Sequence, residues 1–363
     1  MSLKVIKIRS GLKDYNVRFQ EDSGFIAELV KVPNALFIID SNVWEFHKDT
    51  TLAALKNNDK IILEISEDRK SLVTVQELYD KVVERVPKKN MVLVVIGGGI
   101  LQDIAGFAAS TLYRGISWVF LPTTLLAQTD SCIGSKTSLN YKAYKNLIGT
   151  FYPPAEVHIF TGFLSTLKDA DYFSGLGEMA KLCMIGGKRS AAEFAGSIAR
   201  ITARDQAAVL TLLQKSLLIK KDYIESDEYD SGRRNVLNFG HCFGHALESA
   251  ANFAIPHGLA VVAGILMADS VAGKRGLLSG PNENYFAETL LRPILKFDLK
   301  SLDINAPEII SAMKKDKKRT GTKLALVLIK DDFQMERVSD LEESEAAWAV
   351  EKFKRSSDVL SPG

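Results

Sequence analysis

Residues 91–110 read "MVLVVIGGGILQDIAGFAAS". The apolar run 91–96 is short and rich in β-branched Val and Ile, which predicts a strand buried on both faces. Gly97, Gly98 and Gly99 then turn the chain into a helix of small residues that carries Asp103. Glycines at such a turn let backbone N–H groups approach a diphosphate, and the helix N-terminus favours its charge. The spacing is not Gly-x-Gly-x-x-Gly, so a tight turn without a ligand is an equal reading of this stretch alone.

Working outward, "ALFIID" (35–40), "KIILEI" (60–65) and "SWVFLP" (117–122) read as further strands. Between them "LVTVQELYDKVVERV" (72–86) repeats Leu72, Val75, Tyr79, Val82 and Val86 at spacings of three and four, the stripe of an amphipathic helix. Strands alternating with helices predict a parallel, Rossmann-like α/β nucleotide-binding domain. Asp40, closing the strand 35–40, stands where a ribose-binding carboxylate often lies. From about Leu164 helical patterns dominate, as at 207–224 and 258–275. One β-like run, "KLALVLI" (323–329), follows the charged "MKKDKKRTGT" and predicts a strand or hairpin. The domains expected are therefore residues 1–160, α/β and nucleotide-binding, and 161–363, mainly α-helical.

A chain of 363 residues exceeds the size at which one core usually keeps growing, in line with two domains. Its 46 Lys and Arg against 44 Asp and Glu leave a net charge of +2, which gives no reason to expect nucleic acid or an anionic membrane as a partner. No stretch approaches the unbroken apolar length of a membrane span. Cys132, Cys183 and Cys242 are odd in number and lack Cys-x-x-Cys spacing, which fits a reducing, cytoplasmic setting.

Two stretches carry chemistry. "RGISWVFLPTTLLAQTDSCIGSKTSLNYKAYKNLIGTFYPP" (114–154) delivers Arg114, Thr123, Thr124, Asp130, Lys136, Asn140, Lys145 and Asn146 in surroundings that read as a loop. Ammonium groups supply charge and amides direction, a combination suited to a phosphate. Any one of these lysines reads more simply as solvated; the cluster favours a site. The second stretch, "RRNVLNFGHCFGHALESA" (233–250), places His241 and His245 one helical turn apart, and His257 opens "HGLAV". Three of the five histidines thus fall within 241–257. That spacing serves two metal ligands or a ligand and its general base. Glu178 in "SGLGEMAK" is a candidate third ligand, because a carboxylate among glycines and apolar residues is costly to bury alone; Lys181, one turn on, is the competing partner.

The blocks "GGGILQDIAGFAASTLYRG", "PTTLLAQTDSCIGSKTSLN", "KNLIGTFYPP", "GLGEMAK", "SDEYDSGRRNVLNFGHCFGHALE", "HGLAV" and "KKDKKRTGTKLALVL" occur in the order seen in the sugar-phosphate cyclases. Over roughly residues 35–330 the chain resembles that family, its dehydroquinate synthase branch most. The resemblance implies a dehydroquinate synthase-like fold, a homodimer, NAD and a divalent metal (zinc or cobalt) as cofactors, a small phosphorylated sugar acid as substrate, and an active site in the interdomain cleft. In such enzymes a ring hydroxyl is transiently oxidised at the expense of NAD+, phosphate is eliminated, the hydride returns and the opened ring recloses by an aldol step.

Carried over residue by residue, Glu178, His241 and His257 match metal ligands, and His245 a proton-transfer histidine. Asp40, Asn42, Glu67, Lys70, Gly98, Gly99, Asp103, Thr123, Thr124, Asp130, Lys136, Lys145, Phe163 and Thr166 match cofactor-binding positions. Arg114, Lys136, Lys145, Asn146, Lys181, Lys220, Arg234, Asn238 and Lys317 match substrate-binding ones, of which Lys136, Lys181, Lys220, Arg234 and Asn238 also take catalytic roles. Lys220 and Arg234 suit the carboxylate of 3-deoxy-D-arabino-heptulosonate 7-phosphate, which relatives acting on sedoheptulose 7-phosphate or glucose 6-phosphate do not need to bind.

The chain also departs from the pattern. Leu259 stands where the family's His-Gly-Glu-Ala-Val has glutamate, Ser135 and Ser138 replace residues that are mostly glycine, and "NYKAYKN" replaces Asn-His-Pro-Leu-Gly-Lys-Asn. Another sugar-phosphate cyclase, of the 2-epi-5-epi-valiolone or 2-deoxy-scyllo-inosose synthase type, is the alternative. A metal-dependent NAD polyol dehydrogenase and a non-catalytic descendant are the readings outside the class.

Overall fold

The computed structural model describes residues 3–85, 89–142, 144–297, 305–314 and 324–358. The chain divides into two compact units: Met1–Leu167 with Lys221–Tyr229, and Lys168–Lys220 with Asp230–Gly363.

The first unit is built on a seven-stranded sheet. Its strands in chain order are β1 (Val5–Ile8), β2 (Tyr15–Phe19), β3 (Ala35–Asp40), β4 (Lys60–Leu63), β5 (Val92–Gly97), β6 (Ser117–Pro122) and, after a hairpin of β7 (Lys136–Tyr141) and β8 (Tyr144–Phe151), β9 (Glu156–Ile159). The spatial order is β1-β2-β9-β6-β5-β3-β4, with β1 and β2 antiparallel and the remaining neighbours parallel. Leu36–Ile39 of β3 and Leu93–Ile96 of β5 are buried throughout, as their unbroken apolar runs require of central parallel strands. From β3 the chain moves outward to β4 and then returns to β5 on the other side of β3, so the strand order reverses between β3 and β5. Asp40 and Gly97 end those two strands side by side, at the topological switch point where α/β sheets bind ligands.

Helix Leu72–Val83 is present, but its buried face is Thr74, Val75, Leu78 and Val82. Leu72 is exposed and Tyr79 only half-buried, its hydroxyl 2.5 Å from Thr111 Oγ1; Val86 lies outside the described residues. The stripe is thus rotated from the expected one, because Leu78 and not its neighbour Tyr79 faces the core. The stretch expected as a loop is instead the β7–β8 hairpin, paired from Lys136↔Phe151 to Tyr141↔Tyr144. Period-2 burial explains it, with Thr137 and Leu139 inward and polar residues between them.

In the second unit, helices Asp169–Ile185, His241–Ala250 and His257–Lys274 form the centre. The first is buried on nearly all sides from Tyr172 to Ile185, and the third from Gly258 to Ala272 except at Leu266. Helices without a polar face belong inside a domain. The late β-like run forms β10 (Leu324–Ile329), paired antiparallel with β11 (Met335–Leu341). No helix among the described residues is long and apolar enough to cross a membrane.

Candidate active site

In the second unit, glycines set the distances. A Cβ on Gly258 would lie 1.8 Å from Ser174 O, and one on Gly177 would lie 2.2 Å from Gly258 O, so helices 169–185 and 257–274 meet backbone to backbone. The Gly258 N–H donates to Ser174 Oγ at 2.9 Å across this contact. Glu178 follows Gly177 and His257 precedes Gly258, so the crossing brings carboxylate and imidazole together. Gly240, at φ 76, caps the start of helix 241–250 and delivers His241 from the other side.

The result is a converging set of donors. Glu178 is 1% exposed, with Oε1 3.4 Å from His257 Nε2 and 3.7 Å from His241 Nε2, and Lys181 Nζ 2.5 Å from Oε2. Lys181 is therefore a partner of Glu178 as well as the two imidazoles. His241 Nδ1 lies 3.1 Å from Phe239 O, and His257 Nδ1 lies 3.0 Å from Glu248 Oε2. Both rings are held by Nδ1, which turns the Nε2 atoms toward Glu178, the orientation in which histidine ligates metal once Nε2 is deprotonated. His245 joins the same cluster, the ligand atoms of the three imidazoles lying within 4.8 Å of one another.

Charge follows the same geometry. Burial opposes ionisation of Glu178, yet Lys181 and His257 outweigh it and hold the carboxylate well below its usual range. Burial, reinforced by Lys181 and the neighbouring imidazoles, keeps His241 neutral. Burial alone would depress His257, but Glu248 and Glu178 overcome it and raise it to about 10. An anionic oxygen buried without a well-formed hydrogen bond, beside two oriented Nε2 atoms, is a donor set that fits a divalent cation of the zinc type.

Three other members of the expected set also belong to this unit. Lys220 and Arg234 are buried, at 6% and 4% exposure, on helix Gln206–Ser226 and the 3-10 turn Arg233–Asn238. Asn238 Nδ2 donates to Asn235 O at 3.0 Å and, with His241 and His245, lines a cavity of about 60 Å³. Lys317 lies outside the described residues.

The first unit gathers four of the expected cofactor residues, Glu67, Lys70, Asp103 and Lys145, into one network. Lys70, 7% exposed, places Nζ 2.5 Å from Asp103 Oδ2 and 2.6 Å from Asn146 Oδ1. Ser138 donates to both Asp103 oxygens, N–H to Oδ1 and hydroxyl to Oδ2, each at 3.0 Å. Glu67 accepts from Asn140 Nδ2 at 2.9 Å and has Lys145 Nζ at 3.7 Å. Asp103 titrates upward because burial outweighs Lys70 and Ser138. The glycine turn opens helix Gly99–Thr111, and a Cβ on Gly98 would come within 3.0 Å of Thr124 Cγ2. The turn thus opens a helix N-terminus that has no side-chain cap, beside the switch point, which fits a dinucleotide phosphate.

Several expected residues have other engagements. Asp40 accepts from Asn42 N at 2.8 Å as the N-cap of helix Ser41–His47, and burial raises its pKa. Phe163 is 1% exposed in the core of the first unit, edge-on to His47, whose Nε2 is 2.9 Å from Thr166 Oγ1. Thr123 is buried, Thr124 Oγ1 accepts from Ala127 N at 3.2 Å, and Asp130 sits in the π-helical turn Ala127–Ser131. Arg114 is exposed at a left-handed turn, φ 65, in the first unit, where Lys136 and Asn146 are also exposed and Lys145 is half-buried.

Two residues escaped the sequence reading. Glu248 reads as an ordinary polar position of an amphipathic helix, although its spacing of seven from His241 puts both on one face. Leu259, where a carboxylate is missing, is wholly buried, and the carboxylate at His257 comes from Glu248 instead. Ser138, read only as a departure from glycine, clamps Asp103.

Comparison with known proteins agrees with this geometry. The model of the 3-dehydroquinate synthase N-terminal domain matches residues 60–174, and that of the C-terminal domain residues 175–319. A 3-dehydroquinate synthase of Clostridium tetani (strain Massachusetts / E88) is 34% identical, over 89% of this chain and 87% of its own. The chain belongs to the 3-dehydroquinate synthase family. Another member, from Pelagibacter ubique (strain HTCC1062), is 36% identical over 88% of this chain and 87% of its own. Among solved structures, a 2-epi-5-epi-valiolone synthase from Streptomyces hygroscopicus subsp. jinggangensis 5008, with NAD+ and Zn2+ bound, superposes with a TM-score of 0.82 at 26% identity, covering 96% of this chain and 99% of that one. The fold is therefore that of the 3-dehydroquinate synthase family and its sugar-phosphate cyclase relatives.

Proposed function

We propose that this protein is a 3-dehydroquinate synthase, a carbon-oxygen lyase that converts 3-deoxy-D-arabino-heptulosonate 7-phosphate to 3-dehydroquinate and phosphate. One observation carries the choice of substrate: in a chain 34% and 36% identical to dehydroquinate synthases, Lys220 and Arg234, which the resemblance matches to substrate-binding positions, are both buried. Two buried cations favour a substrate bearing a carboxylate, and a guanidinium can meet it with two parallel hydrogen bonds.

Glu178, His241 and His257 would hold the divalent metal, whose chemistry is that of a Lewis acid for the oxygen at the carbon being oxidised. Gly98, Gly99, Asp103 and Lys70 would hold NAD, whose chemistry is to accept a hydride and give it back. Lys181 keeps Glu178 ionised. Lys136, Lys145, Asn146 and Arg114 are assigned to the phosphate end, where cations stabilise the departing dianion. His245, its ring centroid 5.1 Å from that of His241, is assigned to proton transfer. We further infer a homodimer, as in the family, and a cytoplasmic setting, in which Cys132, Cys183 and Cys242 remain the free thiols they are in this structure.

The test is to load the protein with metal and NAD+ and measure inorganic phosphate from 3-deoxy-D-arabino-heptulosonate 7-phosphate and, separately, from sedoheptulose 7-phosphate. Phosphate from the first alone, with no NADH accumulating, is the expected result. Phosphate from the second alone would overturn the substrate, and NADH accumulation without phosphate would overturn the class.

A further inference from the structure

Immediately before Lys136 two consecutive residues lie in the left-handed region, Gly134 at φ 107 and Ser135 at φ 63. Glycine adopts that backbone freely, whereas serine is strained there and persists only where its surroundings hold it. Ser135 is held at both ends of its residue. Its carbonyl accepts from Tyr152 N at 2.6 Å, and its hydroxyl donates to Glu228 Oε1 at 3.3 Å. One residue earlier the Gly134 N–H donates to the hydroxyl of Tyr15, a core residue, at 3.0 Å.

Glu228 is the hub of this arrangement. Its Oε1 also accepts from Ser10 Oγ at 2.5 Å, and its Oε2 from Gly11 N at 2.7 Å. The carboxylate thus ties a loop near the N-terminus to the turn, all within the first unit. Its neighbour Tyr229 packs edge-on against Phe151, the residue paired across the hairpin with Lys136. The turn is fixed on every side just where the chain releases an exposed lysine.

We propose that Glu228, acting through Ser135, is a positioning residue for Lys136: it locks the left-handed serine that sets the direction in which the lysine leaves the turn. The proposal rests on Lys136 being a substrate-binding group. A glycine at position 135 would be relaxed but free to swing; the tethered serine trades backbone ease for one fixed orientation, and binding groups gain from such preorganisation.

The experiment compares Ser135→Gly, Ser135→Asn, Glu228→Gln and Lys136→Ala in the metal- and NAD-loaded protein, reading phosphate release, Tm and metal content. The expected result for Ser135→Gly is a KM for the sugar phosphate raised about five- to twentyfold, with Tm unchanged or higher and metal content unchanged. Glu228→Gln is expected to shift KM in the same direction. Ser135→Asn, which tolerates the left-handed backbone and can reach Glu228, is expected to recover most of the loss. If Ser135→Gly keeps wild-type kcat and KM while Lys136→Ala loses activity, the tether is overturned and the reading of Lys136 stands. Wild-type kinetics in Lys136→Ala would overturn that reading and the proposal with it. A fall in activity that tracks a fall in Tm across the Ser135 and Glu228 variants would reduce the contact to a structural one and also overturn it.

Discussion

Glu248 Oε2 lies 3.0 Å from His257 Nδ1, so a carboxylate on helix 241–250 orients an imidazole at the start of helix 257–274. Glu248 is itself 4% exposed, which makes the contact a fixed one. The pairing holds Nε2 toward Glu178 and raises the basicity of the ring.

Replacing Glu248 by Ala is therefore expected to weaken divalent-metal affinity about 10- to 100-fold, the usual cost of losing such a partner. Glu248→Gln, which can still accept from Nδ1–H, is expected to lose less. Titration of metal-free protein with Zn2+ or Co2+ checks this without reference to turnover. Equal affinities for wild type and Glu248→Ala would show that His257 needs no partner.

How much of this was legible beforehand depended on where each residue finds its partner. β3, β5 and β6 announced themselves because central parallel strands are apolar on both faces. β1 and β9 are four residues each, "VIKI" and "EVHI", and owe their existence to long-range pairing partners rather than to local pattern. The β7–β8 hairpin was hidden by its own polarity, since Ser138 and Asn140 face Asp103 and Glu67 instead of solvent. At the site, Glu178, His241 and His257 could be picked out by spacing and resemblance. Glu248 could not, because nothing local to "HALESA" reveals that another helix brings a histidine to it.

The network around Asp103, proposed to hold NAD, offers a second measurement. Ser138 supplies two of the hydrogen bonds that fix Asp103, and only one of them, from the hydroxyl, is removed by Ser138→Ala. Losing a hydrogen bond to a charged acceptor costs on the order of 1 kcal/mol when the group is partly open to water, so NAD+ affinity is expected to fall about fivefold. Asp103→Asn, which also removes the ion pair with Lys70, is expected to fall further. Isothermal titration with NAD+ decides; an unchanged Kd for Ser138→Ala would remove the serine from the site.

The helix crossing makes a stability prediction. Gly258→Ala would place a methyl group 1.8 Å from Ser174 O, a clash only separation of the helices can relieve. A loss of about 3 kcal/mol or more is expected, together with weakened metal binding, because Glu178 and His257 flank the crossing. Gly280→Ala, with nothing within 4 Å, is the control expected to change stability by less than about 0.5 kcal/mol. Similar denaturation midpoints for the two variants would mean that the helices do not meet so closely.

Asp269 gives a pH dependence away from the chemistry. It is 1% exposed on helix 257–274, both oxygens lack a hydrogen-bond partner among the described residues, and its pKa is raised well above 3.8 by burial and then by Glu283, with Lys352 opposing. A raised acid binds its proton more tightly in the folded state, so its contribution is neutral below about pH 4 and increasingly destabilising above it, until the folded-state pKa is reached. Asp269→Asn removes that term and leaves the shape nearly unchanged. The difference in Tm between Asp269→Asn and wild type is accordingly expected to move in favour of the variant between pH 4 and pH 7, measured by thermal melts in matched ionic strength. A difference that stays constant over this range would mean that the buried carboxyl is ionised in the folded protein, with Lys352 rather than a proton balancing its charge.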